Sequence, residues 1–277
     1  MTRTRKRRPW LLWFLAALIA AWVILPLYWM LATSLRLPVD LSNYPPRALP
    51  IPITFQNFST AFSFYNFGHY LENSAIVSLG ATAGILVLGT CAGYGLARFP
   101  MRGRVGVMVS LLMISVFPEI AVVPPLYILM RHVGWLNSYQ ALIVPYTAFN
   151  LPFAIWILRN YLIQIPKEME EVARIDGAGP LRTLVRIIVP QAAPGLFTAG
   201  VFAFTACWTE FLMAVTFNSA DAFRTIPVGI ALFGSEFVLP YGTIFAASVV
   251  SVLPIALLVV LFRRTVVSGL TQGAVKG

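Results

Sequence analysis

Apolar and charged positions in this chain are segregated into long blocks. Trp10 to Leu35, Asn73 to Ala97, His132 to Leu158 and Phe237 to Phe262 hold no charged residue. Two further runs carry one acid each: Val105 to Met130 holds Glu119, and Ile187 to Ala220 holds Glu210. Each run exceeds the roughly 20 residues that cross a bilayer as a helix. A backbone in hydrocarbon must satisfy its own hydrogen bonds, and the short alternating pattern of barrel strands is missing, so the runs predict helices. The expectation is an all-α membrane protein of one domain, 1–277. Its six spans are placed near 10–35, 73–97, 105–130, 139–159, 193–218 and 238–262.

Composition agrees with that pattern. The chain is 58% hydrophobic, with a mean hydropathy of +0.79 and a formal charge of +10. A nucleic-acid surface would gather its cations on one face, whereas these lie in short clusters between apolar runs, so no nucleic-acid partner is expected. Of the 20 Lys and Arg, only Arg36, Arg47, Arg131 and Arg224 fall in the gaps on one side. The rest flank the opposite ends of the runs, which places both termini in the cytoplasm. The first run is too long for a signal peptide and lacks a small-residue cleavage site, so it is read as a retained span. Cys91 and Cys207 fall inside predicted helices as small apolar fillers. His69 and His132 stand alone, so no metal site is expected.

Segment 36–70 is rich in Pro and aromatics and reads as an ordered external loop ending in an interfacial helix. The second run repeats small residues as GATAG, Gly80 to Gly84, and GTCAG, Gly89 to Gly93, a spacing that lets helices approach closely.

One cytoplasmic gap is charged and structured. Within 166–190 stand Lys167, Glu168, Glu170, Glu171, Arg174, Asp176, Arg182 and Arg186. Pro166 and the following carboxylates suit a helix N-terminus. Val172 and Ile175 give that short helix one apolar edge. Asp176-Gly177 ends it, and Gly179-Pro180 opens a second helix with Leu181, Leu184, Val185 and Ile188 assigned to one face. Such an amphipathic elbow between spans four and five suits docking to a soluble partner.

The elbow resembles the EAA loop of ABC-importer permeases: Glu171-Val172-Ala173, Asp176-Gly177-Ala178, then Ile187-Ile188-Val189-Pro190. Val172 and Val189 depart mildly from that pattern, and Leu184 stands where Phe is frequent. Trp208-Thr209-Glu210-Phe211 is similar to the Trp-Asn-Glu-Phe of carbohydrate permeases. The tail Gly269-Leu270-Thr271-Gln272-Gly273-Ala274-Val275-Lys276-Gly277 is similar to their closing segment. Together these identify the chain as a member of the carbohydrate-uptake permeases of maltose-permease MalG type, inner-membrane subunits with a type I ABC-importer fold.

The resemblance implies a bacterial plasma-membrane permease that forms half of a sugar path. Its implied partners are a second permease subunit, two ATPase subunits, an extracytoplasmic sugar-binding protein and the lipid bilayer. ATP and Mg would sit on the ATPase, since this sequence has no Gly-x-x-x-x-Gly-Lys-Ser/Thr stretch to cradle phosphate. The chain itself is then no enzyme and binds no cofactor. ATPase coupling is assigned to Glu170, Glu171, Ala173, Asp176, Gly177, Ala178, Leu184 and Pro190. Tail contact to the ATPase is assigned to Gly269, Leu270, Thr271, Gly273 and Lys276. Acids in a bilayer core usually face water or the bundle interior, so Glu119 and Glu210, with Trp208, are candidates for the substrate path. The alternative is a proton-coupled secondary transporter relaying through Glu119 or Glu210, although the chain lacks the two related halves of that class.

Overall fold

A computed structural model describes residues 9–42, 45, 47–234 and 239–274, with side chains described from Trp10 to Phe262 within those bounds. Among the described residues there is no strand. The helices are α1 Pro9–Ser34, α2 Gln56–Ser63, α3 Phe67–Arg98, α4 Arg104–Val116, α5 Glu119–His132, α6 Gln140–Gln164 and α7 Glu168–Ile175. They continue as α8 Pro180–Thr183, α9 Val189–Gln191, α10 Ala193–Thr209, α11 Leu212–Phe217, α12 Ile226–Ala231 and α13 Tyr241–Ala274. Trp10–Ser34, α3, α6 and Tyr241–Phe262 are long and apolar enough to cross a membrane. Two bent pairs, α4 with α5 (88°) and Pro180–Gln191 with α10 (81°), raise the count to six if each is one span.

The chain divides into two compact units. In the first, 1–67 with 232–253, the end of α1 is closed by side chains. Asn57 Nδ2 donates to the carbonyls of Ser34 (2.9 Å) and Arg36 (2.7 Å), acceptors that the helix end leaves without partners. The Arg36 guanidinium lies over the Trp29 ring at 4.8 Å and donates to the Arg47 carbonyl. The most apolar stretch of α1 has no buried residue. α2 is the short helix expected near the end of segment 36–70.

The second unit, 68–231 with 254–277, is built around α6. Leu142, Leu158 and Leu162 of α6 are buried with Val77, Ala81 and Ile85 of α3, Ala199 and Ala203 of α10, and Phe217 of α11. Lipid is as apolar as these side chains, so close packing rather than exclusion of water holds such helices together. The small residues of α3 supply it. A methyl group on Gly80 would stand 3.0 Å from Ile143, on Gly84 3.2 Å from Thr147, on Gly89 3.2 Å from Leu158, and on Gly93 3.2 Å from the Arg159 backbone nitrogen. The whole glycine stripe faces α6.

Several boundaries differ from the apolar runs. The run 105–130 is not one straight helix: Phe117 (ψ 134°) and Pro118 (ψ 119°) are extended. Pro118 lacks an N–H to continue α4, and it forces its predecessor out of the helical region. The run 193–218 breaks at Glu210 and Phe211, where the Glu210 carboxylate takes the next N–H groups (below). α3 begins at Phe67 and α6 continues to Gln164, past the apolar cores of their runs. α13 also continues to Ala274 rather than ending at Phe262: it already accommodates Pro254, and no Pro follows Phe262 to stop a helix already nucleated.

Candidate functional site

The elbow folds as two short arms joined by a tight turn. α7 closes with the Gly177 N–H on the Arg174 carbonyl (3.0 Å) and the Ala178 N–H on the Ala173 carbonyl (2.9 Å). Gly177 sits at φ 74°, the left-handed value this helix ending demands and side chains resist. Gly179 then extends and Pro180 starts α8. From Leu184 to Ile188 the winding is π, and the Val189 N–H reaches the Leu184 carbonyl. Pro190 accounts for this: it has no N–H for the regular bond, and its ring would clash with the preceding turn.

One face of the elbow is fixed to the bundle. Glu170 is buried, and its Oε2 accepts from Tyr94 Oη at 2.9 Å. Its Oε1 pairs with the Arg98 Nε, both side chains being almost wholly shielded. Arg98 Nη2 also donates to the Ile165 carbonyl at 2.8 Å. The C-terminal end of α3 therefore clasps both α7 and the segment after α6. Ala173, one turn on from Glu170, is buried on the same side.

The other face is open. Val172, Ile175, Leu181 and Val185 are exposed, Ile175 to 84%, and Glu171, Asp176 and Pro190 are exposed with them. The assignment of Leu181, Leu184, Val185 and Ile188 to one face is corrected. Leu184 and Ile188 point into the core, while Leu181 and Val185 point out. Leu184 is buried in this chain rather than exposed beside Leu181, because the π winding turns it inward. Between the clasp and the turn lies a cavity of about 500 Å³, with Lys167, Glu171, Arg174 and Ala178 on its wall.

The substrate-path candidates separate. Glu210 follows α10 in extended conformation, and its carboxylate accepts from the N–H groups of Met213 (2.7 Å) and Ala214 (3.1 Å). It thereby satisfies two of the unpaired N–H groups at the start of α11 from the position before the N-cap residue Phe211. Tyr146 Oη of α6 donates to the same carboxylate. Glu119 lies at the start of α5, exposed, and within electrostatic range of Glu210 and Tyr146. Asn150 Nδ2 donates to the Tyr146 carbonyl at 2.8 Å. Both broken spans thus bring an acid to one polar cluster inside the second unit. Trp208 belongs elsewhere: it is buried, stacks on Phe204 at 5.2 Å, and forms part of the wall of an apolar groove of about 700 Å³.

Sequence reasoning missed Tyr94, Arg98 and Tyr146. Arg98 had the signal of a cation at the end of an apolar run, which was spent on orientation alone. Gly269, Leu270, Thr271 and Gly273 lie in the helical backbone of α13, and their side chains are outside those described. Lys276 lies outside the described residues. Among the described residues no group of His, Cys, Asp and Glu is placed to hold a metal ion.

The chain is similar in sequence and fold to known proteins. The chain is 41% identical over 254 residues to the sulfoquinovosyl glycerol transport system permease protein of Agrobacterium fabrum, covering 92% of this chain and 89% of that one. It is 37% identical to the trehalose/maltose transport system permease protein MalG of Thermococcus litoralis, over 95% of each. A solved bacterial ABC transporter involved in import of the acidic polysaccharide alginate shares the fold, with a TM-score of 0.81 at 19% identity over 95% of this chain and 98% of that one. Residues 85–272 match the family described as the binding-protein-dependent transport system inner membrane component, and the chain, a multi-pass membrane transport component rather than a catalytic enzyme, belongs to that family.

Proposed function

We propose that this chain is the permease half of an ATP-driven sugar importer and that the elbow is where a separate ATPase subunit drives it. The observation that carries this reading is the division of the elbow into two faces. Glu170, Ala173, Leu184 and Ile188 are held by the bundle, while Val172, Ile175, Leu181 and Val185 stand exposed. An apolar row in water gains by burial, at about 25 cal/mol per Å² removed from solvent. A rigid base beneath it makes the row a handle, since a force on α7 passes through Arg98 into α3 and through Ile165 into α6. ATP closure of the partner would shift the elbow and rock these helices.

The sugar assignment draws on relatives whose names specify sulfoquinovosyl glycerol, trehalose and maltose. The remaining parts are a second permease chain, two ATPase subunits carrying ATP and Mg, and an external binding protein. Both termini are cytoplasmic on the distribution of cations. The tail from Gly269 to Lys276 adds a contact to the ATPase pair. Of the path candidates, exposed Glu119 is the one free to meet solute, while Glu210 holds the separate break between α10 and α11. A binding-protein-dependent system needs no proton relay through either acid.

The test is Ile175→Asp, which alters an exposed side chain and leaves the clasp intact. The variant inserts at normal levels, loses its co-purifying ATPase and loses sugar uptake. Wild-type ATPase recovery together with wild-type uptake would overturn the docking role of this face.

A further inference from the structure

At the elbow end of the second unit, positive charge exceeds what the neighbouring acids neutralise. Arg98 is taken by Glu170. Arg102, Arg104 and Arg159 are not matched in this way. Arg104 and Arg159 share a cavity of about 190 Å³ with Val105, Val109, Leu112 and Trp156. A second cavity of about 580 Å³ adjoins it through Arg104 and Val105 and adds Arg102. Among the described residues, no acid lines either one.

Three features make the smaller cavity attractive to an anion. Arg104 and Arg159 lie within electrostatic range of each other, like charges brought together. The Nε of Arg159 is buried, and no acceptor among the described residues reaches it; a buried donor without a partner is a standing cost that a ligand oxygen removes. Arg104 also opens α4 after Gly103, with no acid in the first turn. A helix start carries partial positive charge, so a cation there is at the unfavourable end and an anion at the favourable one.

The remaining wall is apolar. Val105 and Val109 are exposed along α4, Leu112 continues the row, and the exposed Trp156 ring stands beside them. Tryptophan is enriched where headgroups meet hydrocarbon. A small free anion would satisfy the guanidinium groups and leave this row bare. A ligand with an anionic head and a hydrocarbon tail satisfies both, and basic pockets between spans at the cytoplasmic side suit such heads.

We propose that this cavity binds the phosphodiester headgroup of an anionic phospholipid. Arg104 and Arg159 hold the phosphate, and an acyl chain lies along Val105, Val109 and Leu112. The lipid would bridge the start of α4 to the end of α6, next to the elbow clasp.

Native mass spectrometry of the full detergent-solubilised chain tests this, with dioleoyl-phosphatidylglycerol, dioleoyl-phosphatidylcholine or sodium phosphate added. Wild-type protein should retain the phosphatidylglycerol adduct about thirtyfold over phosphatidylcholine, the scale of two cations at an anionic surface. The double variant R104Q/R159Q should fall to the phosphatidylcholine level. R182Q/R186Q removes the same charge from the exposed elbow and should keep the adduct. Should the double variant fold poorly, R104Q alone carries the test, with a loss of about fivefold. Equal retention of the two lipids, or an undiminished phosphatidylglycerol adduct in R104Q/R159Q, overturns the proposal. Displacement of the lipid by millimolar phosphate also overturns it and assigns the arginines to a free anion.

Discussion

Glu170 and Glu210 are both carboxylates drawn in from water, and each accepts a hydrogen bond from a tyrosine on a spanning helix, Tyr94 and Tyr146. Their remaining partners differ in kind. Glu170 faces a guanidinium, whereas Glu210 faces two backbone N–H groups at the start of α11. The first pairing ties the end of α3 to α7, 72 positions on, and fixes where the elbow sits. The second works within five residues and fixes where a helix stops and restarts. A buried acid with an arginine acts here as a tie between elements. A buried acid on backbone donors acts as a local hinge pin. The same side chain thus ties elements together in one place and interrupts a helix in the other.

The comparison breaks most directly at Arg98. Arg98→Ala leaves Glu170 shielded and without its cation, a change that typically costs about 3–5 kcal/mol when such a pair is split. Hydrogen exchange across 168–178 should accelerate sharply, and transport should fall while the chain still inserts. Unchanged protection there would mean that the clasp does not hold the elbow.

Glu210→Ala comes next. It removes an acceptor from two N–H groups and a hydroxyl, each unmet donor costing about 1–3 kcal/mol. Exchange should rise across 212–217 and stay at the wild-type rate across 168–178. Acceleration of the elbow as well would show that the two acids belong to one network. Glu210→Gln sharpens the contrast, because an amide oxygen still accepts. It should recover about half of the protection lost in the alanine variant, whereas Glu170→Gln, deprived of its charge opposite Arg98, should recover less. Equal recovery at both positions would erase the distinction. The smallest effect is expected from Tyr94→Phe, about 0.5–1.5 kcal/mol for one hydrogen bond, read as a slight rise in exchange at 170–173 with sugar uptake retained.

Four long apolar helices were legible because lipid demands such stretches, whereas the remaining two expected spans are bent pairs. The elbow was legible because Gly177, Pro180 and a cluster of charge have local meanings. Glu170 and Glu171, given one role together, lie on different faces of α7, for a reason also present in the sequence. Glu170 and Ala173 are three apart and share a face, and Glu171 belongs to the other one. Leu184 was misread because a π turn inserts a register shift that a 3.6-residue period does not carry. The partners Arg98 and Tyr146 lie 72 and 64 positions from their acids, and no local pattern encodes such pairs. The break at Glu210 has neither Gly nor Pro to mark it, since the side chain itself supplies the stop.

The glycine stripe of α3 carries a consequence for how the protein is made. Its mate is α6, and the contacts run from Gly80 on Ile143 to Gly93 on the Arg159 backbone. α3 is complete at Arg98, and the ribosome reaches Gln164 only after α4, α5 and the rest of α6 have been translated. At about 5–20 residues per second that interval is on the order of several seconds. Throughout it, a newly inserted α3 presents a notched face with nothing in it. Whatever attends the nascent chain at the membrane meets that face before the native neighbour does. A bulky substitution at Gly84 or Gly93 would then register first as a defect of biogenesis, in yield and turnover, ahead of any defect in the finished transporter.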